Sequence, residues 1–167
     1  SCFLDTIDWD GDGDLDIIYA AGDNADYTPI LKPYHGIYVF ENKGDLIFEQ
    51  SFFYHLNGAY KAIPKDFDQD GDLDFAAISF FPDFEKHERE LFVYLQNQGN
   101  GKFETQSIPT AHLGRWIVMD AGDYDQDGDD DIILGSLTME VPKKPELVAE
   151  WVKKGIPFVV FENKLKS

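Results

Sequence analysis

The sequence predicts an all-β protein made of three successive four-stranded antiparallel sheets, with one short helix in a loop. Three observations support this prediction. An acidic nonapeptide occurs three times at nearly equal spacing, short apolar runs follow each copy at similar distances, and a turn motif recurs between these runs. A chain of 167 residues is long enough to form one domain with a sizeable core.

The acidic nonapeptides set the register of the repeat. DWDGDGDLD, DFDQDGDLD and DYDQDGDDD begin at Asp8, Asp66 and Asp123. The turn motif N-x-G-x-x-x-F-E begins at Asn42 and again at Asn97. We therefore place one domain over residues 1–167, with repeat units at 1–54, 55–109 and 110–167.

Each unit is predicted to contain four strands, A to D, with the acidic loop as the A–B turn. The A strands are expected at 2–7, 58–65 and 115–122, the C strands at 37–41, 91–96 and 158–162, and the D strands at 46–53 and 102–108. The B and C segments are nearly continuous apolar runs, which indicates a sheet that is covered on both faces. Small covered sheets at this period are typical of β-propeller blades, so the chain is predicted to be a partial propeller.

One segment breaks the strand pattern. Residues 145–155 begin with proline, carry an apolar stripe and end with two lysines and a glycine, as a short amphipathic helix does. The helix is expected to lie on the propeller face. Docking of a partner is the alternative, and Trp151 is the residue that tests it.

Charge and cysteine content limit the function classes. The formal net charge of −18 argues against nucleic acid and anionic membranes as partners. The three nonapeptides hold half of the 32 acidic residues, so the acidity is confined to three loops. Cys2 is the only cysteine, which excludes an intrachain disulfide. No apolar run reaches the length of a transmembrane helix.

The aligned loops read D-x-D-x-D-G-x-x-D, a pattern that predicts three calcium sites. Clustered carboxylates repel one another unless a cation lies between them. Side-chain oxygens at positions 1, 3, 5 and 9, the backbone carbonyl at position 7 and a glycine turn at position 6 suit Ca²⁺. An EF-hand is excluded because position 12, which requires glutamate, holds Tyr19, Ala77 and Leu134. The predicted metal residues are Asp8, Asp10, Asp12, Asp14 and Asp16; Asp66, Asp68, Asp70, Asp72 and Asp74; and Asp123, Asp125, Asp127, Asp129 and Asp131.

The loop motif, the apolar strand after it and the N-x-G-x-x-x-F-E turn resemble tandem FG-GAP/VCBS-type repeats, the calcium-bearing blades of integrin-α-like β-propellers. The resemblance implies an ion in the A–B hairpin of each blade, ligated by the aspartates at positions 1, 3, 5 and 9. It also implies a seven-bladed ring and an extracellular, periplasmic or cell-surface location. Three blades cannot close a ring, so the remaining blades are expected as partners, in the same chain or in another.

Two function classes remain open. The first is a non-enzymatic, calcium-stabilised module for protein or carbohydrate binding and adhesion. The second is the propeller part of a secreted enzyme, such as a polysaccharide-degrading one, with its active site elsewhere or on the face that carries His55 and His112. No catalytic residue is assigned. Apart from the loops, a ligand site is predicted from His55, His112, Arg115 and Trp116, for which a repeated packing role is the alternative.

Overall fold

The computed structural model describes residues 3–22, 30–86, 88–138 and 144–165, and within them the chain forms three antiparallel sheets. In each sheet, strands that follow one another in sequence lie side by side. Sheet 1 contains β1 (Phe3–Ile7), β2 (Asp16–Ala21), β3 (Gly36–Asn42) and β4 (Phe48–His55). Sheet 2 contains β5 (Ala59–Lys65), β6 (Asp74–Ser79), β7 (Phe92–Asn97) and β8 (Phe103–Gln106). Sheet 3 contains β9 (Trp116–Gly122), β10 (Asp131–Ser136) and β11 (Phe158–Phe161). The predicted all-β, blade-like fold is confirmed, and the three sheets do not close a ring.

The sheets stack so that sheet 2 lies between the other two. Residues of β6 are buried along the whole strand, and they alternate between two hydrophobic cores. Phe75 and Ala77 belong to the core shared with sheet 1. Ala76 and Ile78 belong to the core shared with sheet 3. A strand with both faces covered needs apolar residues at every position, which explains the continuous apolar run in the sequence.

Burial on both faces holds for sheet 2 and not for the two outer sheets. On sheet 3, Val118, Phe158 and Val160 have exposed fractions of 62%, 57% and 47%. On sheet 1, Leu4 and Phe53 are exposed on the face turned away from sheet 2. Within the described residues no further sheet covers these faces, so some apolar side chains of the outer sheets remain exposed.

The predicted helix forms at Pro145–Lys154 and is named α1. Gly155 ends it in the left-handed conformation, with φ of 60°, and donates its N–H to the Trp151 carbonyl at 2.9 Å. Leu147 and Trp151 are buried, and the Trp151 indole N–H donates to the His112 carbonyl at 2.8 Å. Leu147, Val148 and Trp151 of the apolar stripe therefore pack against this protein's own core, whereas Val152 is exposed.

An aromatic cluster joins sheets 1 and 2. The Trp9 ring stacks on Phe75 with 5.0 Å between the ring centroids. Phe52 and Phe103 complete the cluster, with 4.7 Å between their centroids. Because Trp9 is the second residue after the end of β1, this contact fixes where the first acidic loop lies relative to sheet 2.

We expect Phe75→Ala to lower the free energy of unfolding by about 3–5 kcal/mol, because the side chain is fully buried and its removal leaves a cavity among aromatic rings. Urea denaturation measures the effect. The control is Phe53→Ala on the uncovered face of sheet 1, for which we expect a much smaller loss. Equal losses for the two variants would contradict the stacking of sheets 1 and 2.

Candidate metal centres

Three loops of the same form connect the first and second strands of the three sheets. They are named loop 1 (8–16), loop 2 (66–74) and loop 3 (123–131), and their residues are numbered as positions 1 to 9. Position 9 begins the second strand in each case, because β2, β6 and β10 start at Asp16, Asp74 and Asp131. The predicted A–B placement of the acidic motif is therefore confirmed.

The three loops share one backbone conformation. At position 6, Gly13, Gly71 and Gly128 have φ angles of 94°, 101° and 95°. This left-handed region favours glycine, which explains why position 6 is glycine in every copy. Position 4 is also left-handed, with φ of 77° at Gly11, 59° at Gln69 and 67° at Gln126. Each loop therefore turns back on itself twice within three residues.

Carboxylates inside the loop hold these turns. The side chain at position 1 accepts the N–H of position 6 in each loop, with N–O distances of 3.1, 3.0 and 3.1 Å for Asp8, Asp66 and Asp123. Position 3 accepts the N–H of position 5: Asp12 donates to Asp10 at 3.2 Å, and Asp127 donates to Asp125 at 3.1 Å. These bonds curl the loop around a central point.

The curled loops bring carboxylate oxygens together. In each group, one oxygen from each of three aspartates lies within 4.8 Å of the others. The groups are Asp8, Asp10 and Asp16; Asp66, Asp68 and Asp70; and Asp123, Asp125 and Asp127. Oxygens at this separation can share one ion, because Ca²⁺–oxygen bonds are about 2.3–2.6 Å long. The donor set consists only of oxygen, so each loop fits a hard divalent cation.

The aspartate at position 9 is buried in all three loops and has a second role. Asp16, Asp74 and Asp131 have exposed fractions of 1%, 0% and 2%. One oxygen of each accepts the N–H of position 2 in its own loop, at 2.7, 3.2 and 3.1 Å. The other accepts a backbone N–H just beyond or at the end of the third strand, at 2.8, 2.7 and 2.9 Å. The carboxylate thus joins its loop to the end of the third strand, which lies beside the second strand in the sheet.

The residue that donates the second N–H is asparagine each time. Asn42, Asn97 and Asn163 also direct a side-chain amide N–H to the carbonyl at position 8, at 3.5, 3.1 and 3.4 Å. The Asn42 and Asn97 side-chain oxygens accept an N–H from the glycine two residues later. Sequence analysis found these two asparagines in the repeated turn motif, but it did not connect them to the acidic loops.

Electrostatic strain accompanies this crowding of carboxylates. Desolvation, together with the neighbouring carboxylates Asp12 and Asp16, raises the pKa of Asp10. The equivalent Asp125 has a raised pKa for the same reasons. Burial raises the pKa of Asp74 although Tyr94, Asn97 and Phe67 all donate hydrogen bonds to it. A bound cation would relieve this cost by favouring the ionised forms.

Beyond the loops, the four residues of the predicted ligand site occupy different environments. His55 is exposed at the end of β4, and His112 is half-buried in a short 3₁₀ turn, Ala111–Leu113. Arg115 and Trp116 are buried, with exposed fractions of 1% and 0%.

The buried pair takes part in core packing. The guanidinium carbon of Arg115 lies 3.9 Å from the Phe80 ring centroid, and burial lowers the pKa of Arg115 to about 10. The indole N–H of Trp116 donates to the Ala111 carbonyl at 2.7 Å. In the described part of the chain, no hydrogen bond or ring contact joins His55 to His112, Arg115 or Trp116. A ligand site built from all four stays a prediction.

The fold and the loops together define a repeat protein of β-propeller blades, each with an acidic hairpin that could hold a metal ion. The family model for the FG-GAP-like repeat matches residues 8–77 and 66–134. The chain belongs to this family, as the resemblance of its motifs indicated. A search of curated proteins gives no match. Across the described residues, α1 and every other helical segment is too short or too polar to span a membrane.

We expect Asn97→Ala to lower the free energy of unfolding by about 1–3 kcal/mol even without metal, because the Leu73 carbonyl and the Gly99 N–H both lose their partner. Chemical denaturation in chelator measures this loss. The neighbouring Gln98→Ala is the control, since its side chain makes no such bonds, and it should change stability by less than about 0.5 kcal/mol. Similar losses for both variants would argue against the asparagine as a link between turn and loop.

Proposed function

We propose that this chain is a calcium-stabilised propeller module of an extracellular or cell-surface protein, and that it binds a protein or carbohydrate rather than catalysing a reaction. One observation supports the proposal most strongly: three loops in separate sheets adopt the same conformation and gather carboxylate oxygens within 4.8 Å. One such cluster occurs often on protein surfaces. Three copies at the same place in successive blades indicate a shared ligand.

Calcium suits the donor set better than other common ions. Zinc favours cysteine and histidine ligands, which the loops lack. Mg²⁺ retains several waters and binds few protein ligands, whereas Ca²⁺ accepts six to eight oxygens in a flexible geometry. Side chains at positions 1, 3, 5 and 9 and the carbonyl at position 7 supply such a set. Bound calcium offsets the desolvation and the repulsion that raise the pKa of Asp10 and Asp125.

The ion has a structural role in this proposal. The ligands at positions 1, 3 and 5 lie between two strands, and position 9 is part of the second strand. Calcium that binds only the folded loop stabilises the fold by mass action. Four carboxylates around one ion leave little room for a substrate, so recognition is assigned to other surfaces. His55 and His112 remain candidates for that role, whereas Arg115 and Trp116 support the core around His112.

The proposed location follows from affinity. Calcium sites of extracellular modules bind at about 10⁻⁴–10⁻³ M, which matches the calcium concentration outside cells. Such sites would be empty in the resting cytosol. A module whose stability depends on them therefore suits a secreted or surface protein, a setting in which FG-GAP repeats are typical.

We expect millimolar calcium to raise the melting temperature reversibly, and excess chelator to lower it again. With a Kd of about 10⁻⁴–10⁻³ M, calcium at about 1 mM contributes about 0.4–1.4 kcal/mol per site. Differential scanning calorimetry measures the shift, with Mg²⁺ at the same concentration as the ionic-strength control. The triple variant Asp10→Asn, Asp68→Asn and Asp125→Asn should lose most of the response.

The matched control removes the same number of charges outside the loops, through Asp45→Asn, Glu49→Gln and Glu104→Gln, which are exposed. It should keep the full calcium response. If calcium leaves the melting temperature of the unsubstituted chain unchanged, the ion has no structural role. An equal loss of response in the two triple variants would assign the effect to general charge and not to the loops.

A further inference from the structure

Loops 2 and 3 are joined by direct polar contacts. The Gln69 side-chain amide donates to the Gly128 carbonyl at 2.9 Å. The Asn163 side-chain amide donates to the Phe67 carbonyl at 2.7 Å. The Lys65 ammonium group lies 2.7 Å from a carboxylate oxygen of Asp130. All three contacts cross from sheet 2 to sheet 3, and all three end on or beside an acidic loop.

These contacts reach the elements that shape the candidate metal centres. Gly128, at position 6 of loop 3, donates its N–H to the position 1 carboxylate of Asp123. Gln69 lies between Asp68 and Asp70, two members of the loop 2 oxygen group. Asn163 donates its backbone N–H to Asp131 of loop 3 while its side chain holds loop 2. Ordering one loop therefore restrains the other.

Loops 1 and 2 lack such a link. In the described part of the chain, no hydrogen bond or ion pair joins residues 8–16 to residues 66–74. A crevice of about 590 Å³ lies between them, lined by loop 1 on one side and by Asp72 and the 97–101 turn on the other. Trp9 of loop 1 instead stacks on Phe75, which follows loop 2 in β6.

The sequence explains the difference. The residue equivalent to Gln69 in loop 1 is Gly11, which has no side chain to reach a neighbouring loop. The residue equivalent to Lys65 is Ile7, and the one equivalent to Asp130 in loop 2 is Leu73. Thus the interface between sheets 1 and 2 has glycine or apolar residues in place of Gln69, Lys65 and Asp130. The equivalent of Asn163 is Asn97, whose side-chain amide donates to Leu73 of its own sheet.

We propose that calcium binding at loops 2 and 3 is positively coupled, and that loop 1 binds its ion independently. This inference rests on the proposed function. An ion that orders loop 2 also orders loop 3 through the Gln69, Asn163 and Lys65 contacts, so the second ion meets a loop that is already restrained. Repulsion between the two bound cations opposes this effect, but salt screens it over about 8 Å at physiological ionic strength.

Two variants separate the pairs of loops. Asp10→Ala disables loop 1 and leaves loops 2 and 3, whereas Asp125→Ala disables loop 3 and leaves loops 1 and 2. Isothermal titration calorimetry with CaCl₂ at physiological ionic strength gives the stoichiometry and the two binding constants. In the Asp10→Ala chain we expect the second ion to bind at least about fivefold tighter than the first, after statistical correction. In the Asp125→Ala chain we expect two independent ions.

The link itself is tested in the Asp10→Ala background. Gln69→Ala removes the amide that reaches Gly128, and Lys65→Met removes the ion pair while keeping the aliphatic stem. Each should reduce the fivefold ratio towards one, with two ions still bound. Gln126→Ala is the matched control, because Gln126 holds the same position in loop 3 with the same left-handed backbone, and its side chain makes no hydrogen bond to another sheet among the described residues. It should leave the ratio unchanged.

The outcomes separate the two proposals. Equal, independent binding in both backgrounds overturns the coupling and leaves calcium binding in place. A ratio that survives Gln69→Ala, Lys65→Met and Asn163→Ala together overturns the assigned link. Absence of bound calcium in the unsubstituted chain overturns the proposed function, and the coupling with it. Circular dichroism at saturating calcium identifies any variant that fails to fold, and the corresponding Asn substitutions, Asp10→Asn and Asp125→Asn, then replace the alanines.

Discussion

The buried carboxylate at position 9 is the interaction on which the blade depends. A carboxylate removed from water destabilises the fold unless hydrogen bonds compensate for its lost solvation. Asp16, Asp74 and Asp131 obtain this compensation from two backbone N–H groups each, one in their own loop and one near the end of the third strand. The turn, the start of the second strand and the end of the third strand are therefore fixed together. This group therefore places the loop on its sheet, while the bonds to positions 1 and 3 curl the loop itself.

The same bond directs the packing between sheets. Position 2 donates its N–H to the buried carboxylate, which fixes the side chain of position 2 towards the following sheet. That side chain is aromatic in every copy. Trp9 stacks on Phe75, and Phe67 lies in the core shared by sheets 2 and 3. Tyr124 has an exposed fraction of 48%, because no described sheet follows sheet 3. The hydrogen bond that anchors each acidic loop thus also positions the aromatic side chain that points towards the next sheet.

The sequence predicts the parts of this structure that repeat. The spacing of Asp8, Asp66 and Asp123 places the sheets and the loops, because each strand boundary follows from a local turn. Contacts that differ between copies are not predicted, since they depend on how neighbouring sheets stack. Gln69 and Gln126 look equivalent in sequence, yet only the Gln69 side chain donates to a neighbouring sheet. The continuous apolar runs likewise predicted two covered faces for every sheet, but an apolar run does not indicate whether a neighbouring sheet is present. For Arg115, a charged residue in a strand-like segment gave no sign of the aromatic rings of Phe80 and Phe81 around it.

Equivalent loops therefore differ in their surroundings more than in their form. The loop motif is constrained by its own turn, so it is nearly invariant among the three copies. Three positions face the neighbouring sheet: positions 4 and 8 of the loop and the residue before it. Between loops 1 and 2 they are occupied by Gly11, Leu73 and Ile7, and between loops 2 and 3 by Gln69, Asp130 and Lys65. A hydrogen bond across a sheet interface transmits order, whereas an aromatic stack beside an open crevice leaves each loop more freedom. In a stack of repeats whose stability comes mainly from neighbour contacts, such differences decide which sheets behave as a unit. On this basis polar contacts join loop 2 to loop 3, whereas sheet 1 is attached to sheet 2 through an aromatic core.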